Sequence, residues 1–279
     1  MDDFFIGHRD FIKLSKRLSM STAMVTPGNV VADVGCDHAH TDIFLVKAGI
    51  SPRAIAMDVG EGPLSHAKAN VRLYGLDGFI ELRLSDGLEM LRPYEADTLI
   101  MAGMGGTLTT LILDKYPDVT ASFKELILQP QSDPDLVRRF LRMHGFKIVL
   151  EDMCIEDGKF YNAMKAVHAE NADETGKGTL KAGIAENADG WERDDCCKDS
   201  YTEGLPEDDI RIQCFDRFGE YLLKTRNVVL KELLLQLKEK NLRVIQRIES
   251  SGNAGSDEKH RFFLKEKEII GYALKQYHS

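Results

Sequence analysis

Over the first 145 residues, short apolar runs take turns with stretches in which apolar residues recur at helical spacing. "NVVADVG" (29–35) reads as a buried strand, and "AHTDIFLVKAG" (39–49) as a helix stopped by Gly49. "AIAMDV" (54–59) predicts a second strand and "EGPLSHAKANVRLYG" (61–75) a second helix, with Pro63 tolerated in its first turn and Gly75 at its end. "FIELRLSD" (79–86) and "ADTLIMAGM" (96–104) read as strands three and four, and "TLTTLILDKY" (107–116) as a short helix. "ELILQP" (125–130) makes a fifth strand, and "DPDLVRRFLRMHG" (133–145) a helix capped by Asp133. Such alternation predicts a parallel sheet covered by helices on both faces. Beyond Gly145 the rhythm changes. "FKIVLEDMCIE" and "KFYNAMKAVH" are strand-like and meet at Asp157-Gly158, a strong hairpin signal. The expected sheet is α/β, five parallel strands closed by an antiparallel pair, and so departs from an all-parallel dinucleotide fold.

Three segments follow from this pattern: a sheet domain over 1–168, an insertion over 169–209, and a helical hairpin over 210–279. Residues 170–209 hold 13 acids against 4 bases and few periodic apolar positions, which predicts a surface insertion, partly mobile. One long helix is expected from Phe215 to Ile248. Leu230, Leu234, Leu237, Asn241, Val244 and Ile248 step along it as a coiled-coil seam with one polar position. "SSGNAGSD" breaks it, and "EKHRFFLKEKEIIGYALKQY" returns.

Charge changes the picture. The net charge of −9 argues against a polyanionic partner, but residues 210–279 carry 14 bases against 9 acids. The hairpin's flanks hold Lys224, Arg226, Lys231, Lys238, Lys240, Arg243 and Arg247. It reads equally as a self-packed or dimerising arm and as a grip for RNA. The N-terminus "MDDFFIGHRDFIKLSK" has no cleavable apolar stretch, and no apolar run approaches bilayer length, so a cytoplasmic protein is expected. Five cysteines without a CxxC pair give neither a disulfide framework nor a zinc ribbon.

The chemistry gathers where strands end. Asp33 and Gly35 close the first strand and Asp37 follows them, at the edge where open α/β folds bind ligands. The G-x-G-x-x-G cradle that a diphosphate needs is absent. S-adenosyl-L-methionine carries no phosphate, and its ammonium suits nearby carboxylates such as Asp33 or Asp37. Asp58 ends the second strand, where an acid accepts hydrogen bonds from ribose hydroxyls. Asp86-Gly87 follow the third strand, the acid for an exocyclic amine and the glycine to make room for adenine. "AGMGG" (102–106) ends the fourth, with Gly103, Met104 and Gly105 as a backbone-exposed floor. Cys36, His38 and Val59 flank these positions and join the candidate cofactor contacts. His38 and His40 lack a matched third ligand, so no metal is expected. Cys36 reads as packing under the loop, and Met104 either as core or as a ligand contact.

"LSKRLS", "VADVGCDHAHTDIFL", "AIAMDVGEGPLSHA", "LSDGLEML", "MAGMGG" and "LILQP" together resemble the bacterial TrmK family of tRNA adenine-N1 methyltransferases acting at position 22. The resemblance covers residues 11–168, and more loosely the C-terminal helices; the insertion departs from it. It implies a class I (Rossmann-like) methyltransferase sheet with a C-terminal α-helical coiled-coil hairpin, S-adenosyl-L-methionine as methyl donor and tRNA as partner. By position it implies cofactor contacts at Asp33, Gly35, Asp37, Asp58, Asp86, Gly87, Gly103 and Met104. Adenine N1 has an in-plane lone pair, so catalysis rests mainly on positioning. The positive charge left on the purine makes Asp33 and Asp37 candidate catalytic residues.

Lys13, Lys16 and Arg17, with Arg138, Arg139 and Arg142, are candidate phosphate contacts. Two other readings stay open at this point: a class I methyltransferase of another RNA, a protein or a small molecule, and a cofactor-binding adaptor without catalysis. A monomer is expected. Because the sheet is complete by His168, a chain ending before Asp209 is expected to stay folded.

Overall fold

The computed structural model describes residues 12–172, 205–251 and 257–277. Most of the acidic insertion therefore lies outside the described residues. Among the described residues the strands form a mixed sheet, parallel in its first five strands and closed by an antiparallel pair. The chain divides into two compact units, 1–130 and 131–279.

In the first unit, β1 (Val31–Val34), β2 (Ala54–Asp58), β3 (Ile80–Leu84), β4 (Thr98–Ala102) and β5 (Glu125–Gln129) are the apolar runs of the sequence. Central β1 runs parallel to both β2 and β4, with Asp33 opposite Ala56 and Ile100. Every residue of β1, β4 and β5 but the terminal Ala102 is buried, as strands covered on both faces must be. Edge strand β3 instead shows charge, with Arg83 paired to Glu81 and Glu95. The helices are α1 (Lys16–Thr22), α2 (His40–Lys47), α3 (Glu61–Leu73), α4 (Gly106–Lys115) and α5 (Pro117–Ser122). The last was not expected from the sequence; Pro117 opens it. Parallel pairing turns the carboxyl ends of all five strands to one edge.

In the second unit, α6 (Pro134–Met143) precedes β6 (Phe146–Glu156) and β7 (Lys159–His168). Asp133 occupies the N-cap position of α6, but in the left-handed region and without a capping side-chain bond. At the hairpin tip, positive φ at both Asp157 and Gly158 matches the turn that the sequence signal demands. The expected single helix from Phe215 is instead three: α7 (Ile210–Phe218), α8 (Glu220–Lys224) and α9 (Val228–Ser251). Gly219, at φ +85°, breaks the first junction and lies so near Glu151 that a Cβ would strike its carboxylate. At the second, Asn227 Oδ1 accepts from Val229 N at 3.0 Å and Leu230 N at 3.1 Å, starting α9 afresh. Helix α10 (Asp257–Lys275) returns along α9. Leu230, Leu234 and Asn241 of the seam are buried, and Ile245 is buried where Val244 was expected.

The hairpin shares its core with β6. Met153 is buried together with Cys214, Phe218, Leu222, Leu230, Leu234 and Ile270. Asn227 Nδ2 donates to Asp152 Oδ1 at 3.0 Å. Arg138 of α6 is buried and donates to Glu151 Oε1 from Nε at 2.9 Å and Nη2 at 2.7 Å. Its Nη1 donates to the carbonyls of Asp216 and Arg217. These contacts tie α6 and β6 to the helices that follow residue 209.

Candidate active site

The β1–α2 loop curls tightly. Gly35, Asp37 and Ala39 all have positive φ, at +78°, +50° and +55°. Non-glycine residues rarely adopt such conformations, and they cluster at functional sites. Gly35 N and Cys36 N both donate to Met57 O, and Asp37 N donates to Asp58 Oδ2 at 3.2 Å. Asp58 Oδ1 accepts from Gly60 N at 2.9 Å. One carboxylate at the end of β2 thus fixes two loops while its remaining lone pairs stay available. The β4 loop reaches the same place, since Met104 Sδ and Cε lie 3.7 Å from where a Gly35 Cβ would be. The structure therefore brings Gly35, Cys36, Asp37, Asp58 and Met104 together, with Val59 exposed beside them.

Behind the loop Asp33 is buried, and so is Asp42 of α2. Burial, then the Asp42 charge, raises the Asp33 carboxyl well above its ordinary range. Burial pushes Asp42 up to about 7. Burial, followed by the charges of Asp42 and Asp33, raises the Cys36 thiol too, so it is no nucleophile at neutral pH. Sequence reasoning missed Asp42. Its signal is an acid inside an apolar helical run, on the face that Leu45 also buries.

His38 stacks between His40 and His66, with ring centroids 5.4 and 5.1 Å away. Asn70 Nδ2 donates to His38 O at 3.0 Å. Burial, then His38, lowers the pKa of His40. His66 and Asn70 come from α3 and carried no motif of their own.

The loop after β3 makes contacts of its own, and two candidate cations are committed elsewhere. Gly87, at φ +63°, lies against α4, where a Cβ would sit 2.8 Å from Ile112 Cγ2. Asp86 is exposed and paired to Lys115 Nζ at 3.1 Å. Among the cations, Arg138 is no phosphate contact; it is consumed by Glu151. Arg142 is likewise held by Glu207 and Asp216, both at 2.8 Å. Lys13, Lys16 and Arg139 are exposed, whereas Arg17 Nη1 donates to Gln129 Oε1 at 3.1 Å.

A family model described as a methyltransferase domain matches residues 14–164. The tRNA (adenine(22)-N(1))-methyltransferase of Bacillus subtilis is 37% identical over 155 residues, a match spanning 56% of this chain and 65% of that relative. The crystal structure of the B. subtilis M1A22 tRNA methyltransferase TrmK superposes with a TM-score of 0.74 at 26% identity, covering 94% of this chain and 99% of that one. A Streptococcus pneumoniae protein, put forward as a tRNA (m1A22) methyltransferase and solved with S-adenosyl-L-methionine, gives a TM-score of 0.67 at 28% identity, over 94% of this chain and 100% of its own.

Proposed function

Because this chain belongs to the methyltransferase-domain family, we propose that it uses S-adenosyl-L-methionine to methylate N1 of adenine 22 in tRNA. The observation that carries the reading is the convergence of the β1, β2 and β4 loops at Gly35, Asp58 and Met104. The residues there fit the cofactor: Asp58 offers acceptors to a ribose, and among the described residues no base is paired with the buried acids Asp33 and Asp42, as suits a cationic ligand. Asp37 and His38 flank the loop, and Val59 offers an apolar surface. Gly103, Met104 and Gly105 form a floor without bulky side chains beyond that of the methionine. Asp86 is suited to an adenine amine, in competition with Lys115.

Bound there, the cofactor supplies an electrophilic methyl group on a sulfonium. The protein's own task is to hold an unpaired adenine with N1 in line, since a paired N1 is occupied. Asp37, whose side chain is 70% exposed, is better placed than buried Asp33 to face the charge left on the purine. Phosphates are met by Lys13, Lys16 and Arg139, and by Lys240, Arg243 and Arg247, which line one groove of α9. The protein acts as a cytoplasmic monomer in this reading. Among the described residues, no helix is long and apolar enough to cross a membrane.

Asp58→Ala tests the site. Losing a charged acceptor of about 1.5–3 kcal/mol is expected to weaken S-adenosyl-L-methionine binding roughly tenfold to a hundredfold by calorimetry. Unchanged affinity removes Asp58 from the site.

A further inference from the structure

Three imidazoles lie face to face beside the β1–α2 loop. His38 is the middle ring, with centroids 5.4 Å from His40 and 5.1 Å from His66, and the planes differ by only 21° and 14°. These are the separations of offset-stacked rings. Helix α3 holds the stack together. Ala67 and Val71 carry its buried face, and His66 and Asn70, each one position earlier, stand a turn apart beside that face. Asn70 Nδ2 donates to His38 O at 3.0 Å and lies 3.5 Å from His40 Nε2. Stacked imidazoles turn ring faces, not lone pairs, toward one another. Among the described residues no group of His, Cys, Asp and Glu is arranged to hold a metal ion. His38 and His40 are half-buried, whereas His66 is exposed. The stack thus ends in a ring that contributes little to packing and turns its outer face to solvent. Its supports hang from one carboxylate. Asp58 Oδ2 accepts from Asp37 N, next to His38, and Asp58 Oδ1 accepts from Gly60 N, the N-cap of α3. The rings therefore stand in fixed register with the candidate site.

We propose that His66 is a positioning residue for the RNA: its outer face takes an unpaired base that flanks the target adenine. The proposal rests on the function proposed above. A base turned out of an RNA stack leaves its neighbour with one face uncovered. Unpaired RNA bases are held by stacking on aromatic side chains, histidine included. Here the ring is already ordered by His38, so little side-chain freedom is left to lose when the base arrives. Stacking is tolerant of base identity, since every base has a flat face. His66 therefore adds hold on the RNA and no choice of sequence. It stands on α3, not on the loops that converge at Met104, so it acts on binding of the RNA and not on methyl transfer itself.

The test compares His66→Ala and His66→Phe in the full chain, with an unmodified tRNA transcript and S-adenosyl-L-methionine. His66→Ala is expected to raise KM for tRNA roughly tenfold. Its kcat, cofactor affinity and thermal midpoint are expected to match the wild type, because the ring is exposed and outside the cofactor site. His66→Phe keeps a flat ring and is expected to stay within about twofold of the wild-type KM. Transcripts lacking the base on one side or the other of the target adenine locate the partner. One of them is expected to cost the wild type the same factor and to cost His66→Ala nothing more, as two halves of one contact must. An unchanged tRNA KM in His66→Ala overturns the proposal. So does a His66→Phe variant as weak as the alanine, a loss of cofactor affinity in place of the KM effect, or a full further loss by His66→Ala on both transcripts. No methylation by the wild type at all removes the functional reading instead.

Discussion

A chain ending at Asp208 is expected to lose the cooperative fold of residues 131–168. The truncation removes every partner of Met153 in its buried cluster, from Cys214 to Leu274. Phe160, half-buried against the same cluster, is exposed with it. Uncovering two large apolar side chains costs about 1.5–3 kcal/mol each. Arg138 also loses the carbonyls of Asp216 and Arg217, on the order of 1–3 kcal/mol for a buried donor left unmet. The sum rivals the roughly 5–15 kcal/mol that holds a whole domain together. Thermal unfolding followed by circular dichroism, with hydrogen exchange on β6 and β7, checks this. Intact protection of β6 in the shortened chain would show that the helices are dispensable to it.

The second large effect is expected from Arg138→Ala. The side chains of Arg138 and Glu151 are 5% and 0% exposed, so neither charge has water to fall back on. Without the guanidinium, Glu151 Oε1 keeps only Asn162 Nδ2, at 3.2 Å, and Oε2 has no partner to begin with. Removing one partner of such a pair costs about 3–5 kcal/mol. Lysine is no substitute, because one ammonium cannot reproduce the guanidinium fork that serves Glu151 and two carbonyls together. Arg139→Ala, one position on but 54% exposed, is expected to change stability by less than about 0.5 kcal/mol. Urea denaturation of both variants reads the contrast, and equal stabilities would mean that the buried pair holds nothing.

These arginines show what the sequence leaves out. Arg138, Arg139 and Arg142 stand in one basic run, and nothing local separates the buried one from the exposed one. The acid that claims Arg138 lies 13 residues on, inside a strand. An acid in an apolar strand is a signal, but it names no partner. The parallel strands were legible because burial on both faces leaves nearly unbroken apolar runs, and the hairpin because only a few residue pairs tolerate two positive φ values in a row. The breaks at Gly219 and Asn227 were hidden, since apolar spacing continues through them from Phe215 to Leu234. At the site, Asp33, Gly35, Asp58 and Met104 could be named from their places at strand ends. The burial of Asp33 against Asp42 could not, because it depends on which face of α2 meets β1.

Incubating the full chain with an unmodified tRNA transcript and S-adenosyl-L-methionine, then digesting the RNA and weighing its nucleosides, tests the proposed activity most directly. The expected product is 1-methyladenosine, one per tRNA, absent when adenine 22 is replaced by another base. Methyl transfer to a different base or position, or no transfer by a protein that binds the cofactor, would contradict it.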